Sequence, residues 1–383
     1  MPLPVDRDWI RKLTGTDRAH VLAPMVDQSD LPFRLQCRRY QTNLCFTPMI
    51  HARLFTVQKT YRAKFTLENT PPEDRPLIAQ ICGSHPEYVL NTIRAIEPYC
   101  DGIDLNCGCP QMIAKRGNYG AFLLEQEDEL IELVEFLLQH AKVPLSVKVR
   151  ILPHPETGEP DLERSFALYD RLVDAGIHLL TVHGRTRHQK SRFTGAADWD
   201  TMAQVVARYR DRIPIFCNGS VGSYQDVQDL FQQTHCDGVM SSEAILEYPP
   251  LFSNGPRVGR VALAREYLDL AARYPSNVGG QGSGFRCLRV HLHRFLHDDL
   301  QSDPATRRAI VKIDTLEEVS VALDYVQAKH DREEHQVEDE ELSWYFRHRK
   351  PQPVWQTESS SDEEEDENPE AVCLFFDDNQ GDY

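Results

Sequence analysis

The stretch Leu145-Ser146-Val147-Lys148-Val149-Arg150-Ile151 carries two faces: Leu, Val, Val and Ile at the odd positions, Ser, Lys and Arg at the even ones. Successive side chains of a strand point to opposite sides, so Lys148 and Arg150 lie on one face and the aliphatic side chains on the other. Outward from this stretch, further apolar runs of strand length occur at residues 20–25, 44–49, 77–82, 102–107, 179–184, 213–218 and 237–241. Between most of them lie stretches with helical periodicity, at 31–40, 52–65, 86–97, 127–141, 162–175, 199–207 and 223–233. Eight strands alternating with helices over about 240 residues have the length and rhythm of an α/β TIM (β/α)8 barrel. In that fold the face with Lys148 and Arg150 is assigned to the barrel interior.

Polar residues gather at one end of these runs. Asn106, Lys148 with Arg150, His183 and Asn218 each stand at or near the C-terminal end of an otherwise apolar strand. In a TIM barrel that rim holds the active site, because the loops that follow the strands surround one shared pocket.

With 383 residues, 41% hydrophobic and 26% charged, the chain has the composition of a soluble protein long enough for two or three domains. No run approaches the ~18 apolar residues of a membrane span. The start, with Asp6, Arg7, Asp8, Arg11 and Lys12 around Trp9 and Ile10, lacks an apolar signal-peptide region. The expectation is no membrane partner and a place in the cytosol or nucleus. The ten cysteines lack the dense spacing of a disulfide scaffold and read as reduced thiols. Cys107 and Cys109 are too close for a standard zinc half-site, and no metal site is expected.

The formal net charge of −17 argues at first against a nucleic-acid ligand, since phosphate backbones are bound by basic surface. The distribution of the charge argues the other way. Residues 331–383 hold 18 acidic and 4 basic side chains, leaving a net of −3 for residues 1–330, and residues 256–313 hold 10 Lys or Arg against 5 Asp or Glu. Three regions follow: a barrel over residues 1–255, a helical domain over 256–335 and an acidic tail over 336–383. The tail, with Ser359-Ser360-Ser361 and the acidic run 362–367, cannot bury enough apolar area to offset ordering and is expected to be disordered. In the helical domain Arg286, Arg289, His293 and His297 fall on one helical face, opposite Leu288, Leu292 and Phe295.

Four segments act together: Ala23-Pro24-Met25, Ala79-Gln80, Asp104-Leu105-Asn106-Cys107-Gly108-Cys109-Pro110 and Val147-Lys148-Val149-Arg150. On these residues the sequence resembles the tRNA-dihydrouridine synthase family, and Ala23-Pro24-Met25-Val26-Asp27-Gln28-Ser29 resembles its 16/17-position subgroup. The resemblance runs on through Thr181-Val182-His183-Gly184-Arg185 and Asn218-Gly219-Ser220. It is strong over residues 18–252 and weak over the helical domain, and it excludes the tail. It implies FMN-dependent reduction of uridine to 5,6-dihydrouridine in tRNA, at positions 16/17 of the D-loop, with NADPH or NADH as electron donor. A monomer is expected, with tRNA held by the helical domain through Arg286 and Arg289.

The resemblance places a flavin at the barrel mouth and a cysteine acid beside it, and the chemistry divides the work in the same way. Hydride addition to C6 of uracil leaves an enolate-like carbanion at C5, which needs a positioned proton donor. Cys109 suits that role, because a thiol with a pKa of about 8.5 is protonated at neutral pH yet able to release its proton. Gly108 and Pro110 permit a tight loop around it. Cys107, two residues earlier on an extended chain, is read as facing the same way and is the alternative acid. Asn106 offers both a donor and an acceptor to the uracil edge.

Lys148 matches the family position whose ammonium lies near the flavin N1 and C2 carbonyl, where it stabilises the anionic reduced ring. Gln80 is expected to bond the flavin pyrimidine ring, and Pro24, Met25 and Val26 to line the cofactor. His183 is read as a flavin contact, with a satisfied core histidine as the alternative. Arg150 is expected to neutralise a ribityl or RNA phosphate. Where many family members have Gly-Arg after the eighth strand, this chain has Ser242-Glu243, and Glu243 would repel a phosphate if it pointed inward. The phosphate is therefore expected on backbone N–H groups of Asn218-Gly219-Ser220 and Ser241-Ser242.

Two other readings stay open. One is an FMN barrel oxidoreductase acting on a free pyrimidine, for which a basic helical domain is superfluous. The other is a non-catalytic RNA-binding scaffold, against which intact Cys109, Lys148 and Gln80 speak. No GxGxxG follows a strand, so no separate NAD(P)H site is read.

Overall fold

Strands that are apolar on one face and mixed on the other bury both faces only if helices cover the first and other strands the second, and a closed barrel does this. The computed structural model describes residues 2–190, 194–275, 284–332 and Tyr345. Its strands are β1 (Ala19–Leu22), β2 (Leu44–Phe46), β3 (Ile50–His51), β4 (Leu77–Cys82), β5 (Gly102–Cys107), β6 (Leu145–Arg150), β7 (Leu179–His183), β8 (Ile215–Asn218) and β9 (Gly238–Ser241). All pairings are parallel, and the sheet closes because β1 pairs with both β2 and β9 while β2 also pairs with β4.

The expected strand at 44–49 is split. β2 and β3 pair with the same β4, in registers Phe46↔Ile78 and Ile50↔Ile81. Thr47, Pro48 and Met49 thus face only Ala79 and Gln80, and the surplus residue makes a bulge. Pro48 has no N–H to give to a ladder, which is why the break falls there. Thr47 Oγ1 instead accepts the Gln80 N–H at 3.1 Å.

Alternation sorts the barrel into an oily base and a polar mouth. Outward-facing Leu105, Cys107, Val147, Val149, Leu180 and Val182 join the core between strands and helices. Inward-facing Val21, Phe46, Ile78, Leu179, Phe216 and Met240 fill the base, which Trp9 and Ile10 close from the helix Trp9–Thr14, an element that periodicity alone did not predict. Two residues further along the same inner faces stand Gln80, Thr181 and Asn218. The outer helices begin as their caps dictate: Asp161, Asp198 and Ser223 accept the N–H of Arg164, Thr201 and Asp226 at the starts of Leu162–Ala175, Trp199–Tyr209 and Tyr224–Thr234.

After β9 the described chain is helical, with Arg260–Arg273, Phe285–Phe295, His297–Ser302, Pro304–Val311 and Leu316–His330 as its main elements. Leu288, Leu292 and Phe295 are buried as their spacing requires, whereas His297 opens the next helix. The region is anchored on barrel helix Leu31–Arg39. Tyr267 Oη donates to Asp30 Oδ2 and His291 Nε2 to Asp30 Oδ1, each at 2.8 Å, and His291 stacks on Phe33 at 4.3 Å between centroids. No described helix is long and apolar enough to cross a membrane. Of the expected tail, residues 336–344 and 346–383 lie outside the described residues. Tyr345, assigned to that tail by composition, is instead buried in the main core.

Candidate active site

β5 delivers the thiols to different places. Cys107 is the last residue of the strand and faces outward into the sheet–helix core with no exposed surface, so it cannot be the alternative acid. The two-residue period that paired it with Cys109 ends with the strand, because the chain turns at Gly108. Cys109 is half-buried at the rim, against Val26, Met49, Cys82 and Tyr119.

The loop that carries Cys109 is fastened by its neighbours. Asn106 Oδ1 accepts the N–H groups of Gly108 (3.1 Å) and Cys109 (3.0 Å), while Nδ2 donates to Gln80 Oε1 (2.9 Å) and meets Met49 Sδ (3.2 Å). Arg150 Nε donates to the Gly108 carbonyl at 2.7 Å and Nη1 to the Thr186 carbonyl at 2.9 Å. Both residues were expected to touch substrate. In the structure Asn106 has both ends of its amide bonded and Arg150 is 9% exposed, and each aims the Cys109 loop from beneath. Burial pushes the Cys109 thiol above its ordinary range, partly offset by the Gln111 backbone and by the positive charges of Arg150, Lys148 and Lys190. The sulfur therefore carries its proton at neutral pH.

Inside the mouth polar groups of five strands, β4, β5, β6, β8 and β9, bond to one another in two sets. Gln80 pairs in register with Asp104 and Asp104 with Ser146; Gln80 Nε2 donates to Asp104 Oδ2 (2.8 Å) and Ser146 Oγ to Asp104 Oδ1 (2.6 Å). Lys148 Nζ donates to Asn218 Oδ1 at 3.0 Å, and Asn218 Nδ2 to the Met240 carbonyl at 2.9 Å. Burial pushes Asp104 up to about 6 against its bonds from Ser146 and Gln80 and the charge of Lys148. Burial, with the neighbouring Arg150 charge, brings Lys148 down to about 8 despite Asp104. Asp104 is a site residue that sequence reasoning passed over. Its signal was available: an acid within an apolar strand, at the same parity as Asn106.

The β7 and β8 ends meet through Arg185, likewise unassigned from sequence. It is 3% exposed; Nε and Nη2 donate to the Gly195 carbonyl (3.0 and 2.8 Å), Nη2 to Ser220 Oγ (3.1 Å) and Nη1 to His183 Nε2 (2.9 Å). Since arginine only donates, His183 accepts on Nε2 and carries its proton on Nδ1. Gly219 has φ +117°, and a Cβ there would stand 2.8 Å from Ala197 Cβ and 3.1 Å from His183 Cδ2, so this turn tolerates no side chain. Ser241 Oγ donates to the Val221 carbonyl at 3.3 Å, joining the ends of β8 and β9. Glu243 lies 3.9 Å from Arg294 of the helical region, and Ser242 is half-buried beside it. Pro24, Met25 and Val26 are half-buried on the rim after β1, where Ser29 Oγ bonds both the N–H and the carbonyl of Met25.

The cations expected to hold RNA have partners. Arg286 Nε is 3.2 Å from Asp27 Oδ2, a residue of the barrel rim, so Arg286 ties the helical region to the barrel. Arg289 lies 3.4 Å from Asp314 and keeps a third of its side-chain surface, whereas Arg307 and Arg308 are exposed.

A parallel (β/α)8 barrel with a half-buried thiol above an interior lysine, and a helical region joined at the rim, has the form of a TIM-barrel enzyme. The family model for dihydrouridine synthase (Dus) matches residues 21–367, and the chain belongs to that family. It is 41% identical over 313 residues to a tRNA-dihydrouridine(16/17) synthase NAD(P)(+)-like protein of Mus musculus, covering 82% of this chain and 62% of that protein. It is 36% identical over 310 residues to the tRNA-dihydrouridine(16/17) synthase of Schizosaccharomyces pombe, covering 77% and 74%. To that of Saccharomyces cerevisiae it is 36% identical over 325 residues, covering 78% and 73%. The chain thus spans less than two thirds of the mouse relative's length.

Proposed function

We infer that this chain reduces uridine to 5,6-dihydrouridine in tRNA, at positions 16/17, with FMN as cofactor and NADPH or NADH as electron donor. One observation carries the reading. A protonated thiol, Cys109, stands on a loop fastened by Asn106 and Arg150 over an interior ammonium, Lys148, in the mouth of the barrel.

The residues present fit a flavin. Lys148 and His183 keep some exposure inside the mouth. Gln80 uses one donor and one acceptor on Asp104 and Asn106, which leaves one of each for a ring edge. Pro24, Met25, Val26, Gln80, Lys148, His183, the turn Asn218-Gly219-Ser220 and Ser241-Ser242 would hold it. FMN, once reduced by NAD(P)H, would supply the hydride that adds to C6 of the uracil. Cys109 gives its S–H proton to C5, and the thiolate left behind is favoured by the charges of Lys148, Arg150 and Lys190 until solvent returns the proton. Residues 256–335 would meet the tRNA, with the half-buried Arg289 and the exposed Arg307 and Arg308 among its cations.

The test is direct. Purified protein should be yellow, with absorbance near about 450 nm from non-covalent flavin, and should convert uridine 16 or 17 of tRNA when given NADPH. A protein that takes up no flavin, or one that reduces free pyrimidines and leaves tRNA untouched, would overturn the reading.

A further inference from the structure

The turn 218–222 at the end of β8 is held residue by residue. Asn218 takes the Lys148 ammonium, the Gly219 carbonyl accepts from Trp199 Nε1 (3.1 Å), Ser220 Oγ accepts from Arg185 and from the Ala197 N–H (2.6 Å), and the Val221 carbonyl accepts from Ser241. Gly222 donates its N–H to Asp226 Oδ2 at 2.8 Å. Over its α-carbon lies a ring from more than a hundred residues later in the chain. A Cβ on Gly222 would come 2.3 Å from Tyr345 Cε1 and 2.6 Å from Cδ1. Gly222 is not among the positive-φ glycines, so its backbone does not require glycine, and the seat of the ring is what excludes a side chain. Tyr345 is 6% exposed and belongs to the same buried cluster as Val221.

In TIM barrels the loops after the seventh and eighth strands form the phosphate site, and here those loops are joined through Val221 and Ser241. We propose that Tyr345 is a positioning residue for the cofactor phosphate: seated on Gly222, its ring holds the 218–222 turn in the conformation that receives it. This rests on the reading of that turn as the phosphate cradle. It also divides the C-terminal region by function, since residue 345 serves the barrel although the acidic composition around it belongs to a tail.

The experiment uses the full chain stripped of flavin and titrated with FMN and with riboflavin, which lacks the phosphate, followed by quenching of flavin fluorescence. Tyr345→Ala should weaken FMN at least about tenfold and riboflavin less than about twofold, since only FMN has a phosphate to lose its seat. Tyr345→Phe should restore FMN binding, because the ring makes the packing. Gly222→Ala, which displaces the ring while leaving Tyr345 in the sequence, should reproduce the selective loss if Tyr345→Ala folds poorly. Equal weakening of both flavins, or none, would overturn the role of Tyr345. Gly219→Ala separates the two ideas. If it weakens FMN selectively and Tyr345→Ala does not, Tyr345 alone is wrong; if neither is selective, the phosphate reading of the turn falls and the proposal with it.

Discussion

The barrel mouth and the helical region both carry arginine and lysine, yet they use them in opposite ways. In the mouth, Arg150 and Arg185 are buried and bonded to carbonyls of the loops they serve. In the helical region Arg286 is held by Asp27 across the junction and Arg289 leans on Asp314, while Arg307 and Arg308 stand in solvent. Charge counted along a chain is therefore not charge on offer. Interior cations shape the site by fastening loops and holding protonation states. Only exposed ones can release counterions from a phosphate backbone.

The largest effects should come from the mouth. Cys109→Ala should lower dihydrouridine formation by about 10²-fold or more while NADPH still bleaches the flavin, because the step removed is a proton transfer to carbon. Cys107→Ala should instead cost only about 1 kcal/mol of stability, as an ordinary core substitution. If Cys107→Ala shows the catalytic phenotype, the assignment of outer and inner faces at the end of β5 is wrong.

Next comes Lys148, which burial brings down to about 8, so that its ammonium is charged below that pH and neutral above it. A charge needed to favour an anionic reduced ring is therefore lost as pH rises, so kcat/KM should fall on the alkaline side through that region. A bound anion shifts the limb upward. Lys148→Ala should remove the limb and most of the flavin, and a profile that keeps the limb in that variant would assign it to another group.

On the helical side, Arg289→Glu with Arg307→Glu and Arg308→Glu should raise the KM for tRNA about tenfold and flatten the salt dependence by about one unit of slope for each phosphate left unneutralised. Flavin content and its reduction by NADPH should not change. Wild-type tRNA affinity in that triple variant would move the RNA to another surface. Arg286 belongs with the junction: Arg286→Ala and Asp27→Asn should each lower Tm by a few degrees, with a coupling of about 0.5–1 kcal/mol in a double-mutant cycle. Full additivity would return Arg286 to the RNA face.

The smallest effect is expected from truncation after Trp355, which keeps Tyr345. Turnover on tRNA should stay at the wild-type level, and affinity for unrelated RNA at low salt should rise slightly as the acidic run that competes with it is removed.

Much of this was legible locally. Parity along β6 placed Lys148 and Arg150 inside the barrel, and it held because a strand's period is exact enough over six residues to separate the two faces. The same rule failed for Cys107 and Cys109, since it stops applying where the strand stops. The bulge opposite Ala79 and Gln80 was foreshadowed by Pro48, which lacks an N–H. Spacing also found the apolar side of helix Phe285–Phe295, but it left His291, buried against Asp30 and Phe33, unnoticed among basic neighbours.

The barrel, the rim on which its polar residues gather and the family motifs were readable along the chain, because periodicity and strand ends are properties of neighbours in sequence. Which polar groups were already engaged emerged from the folded chain. Asn106 and Arg150 fasten the Cys109 loop, Arg286 meets Asp27, and Tyr345 settles on Gly222 through contacts between residues far apart in sequence. A buried donor or acceptor must find a partner wherever the fold brings one, and composition and spacing carry no record of which one that will be.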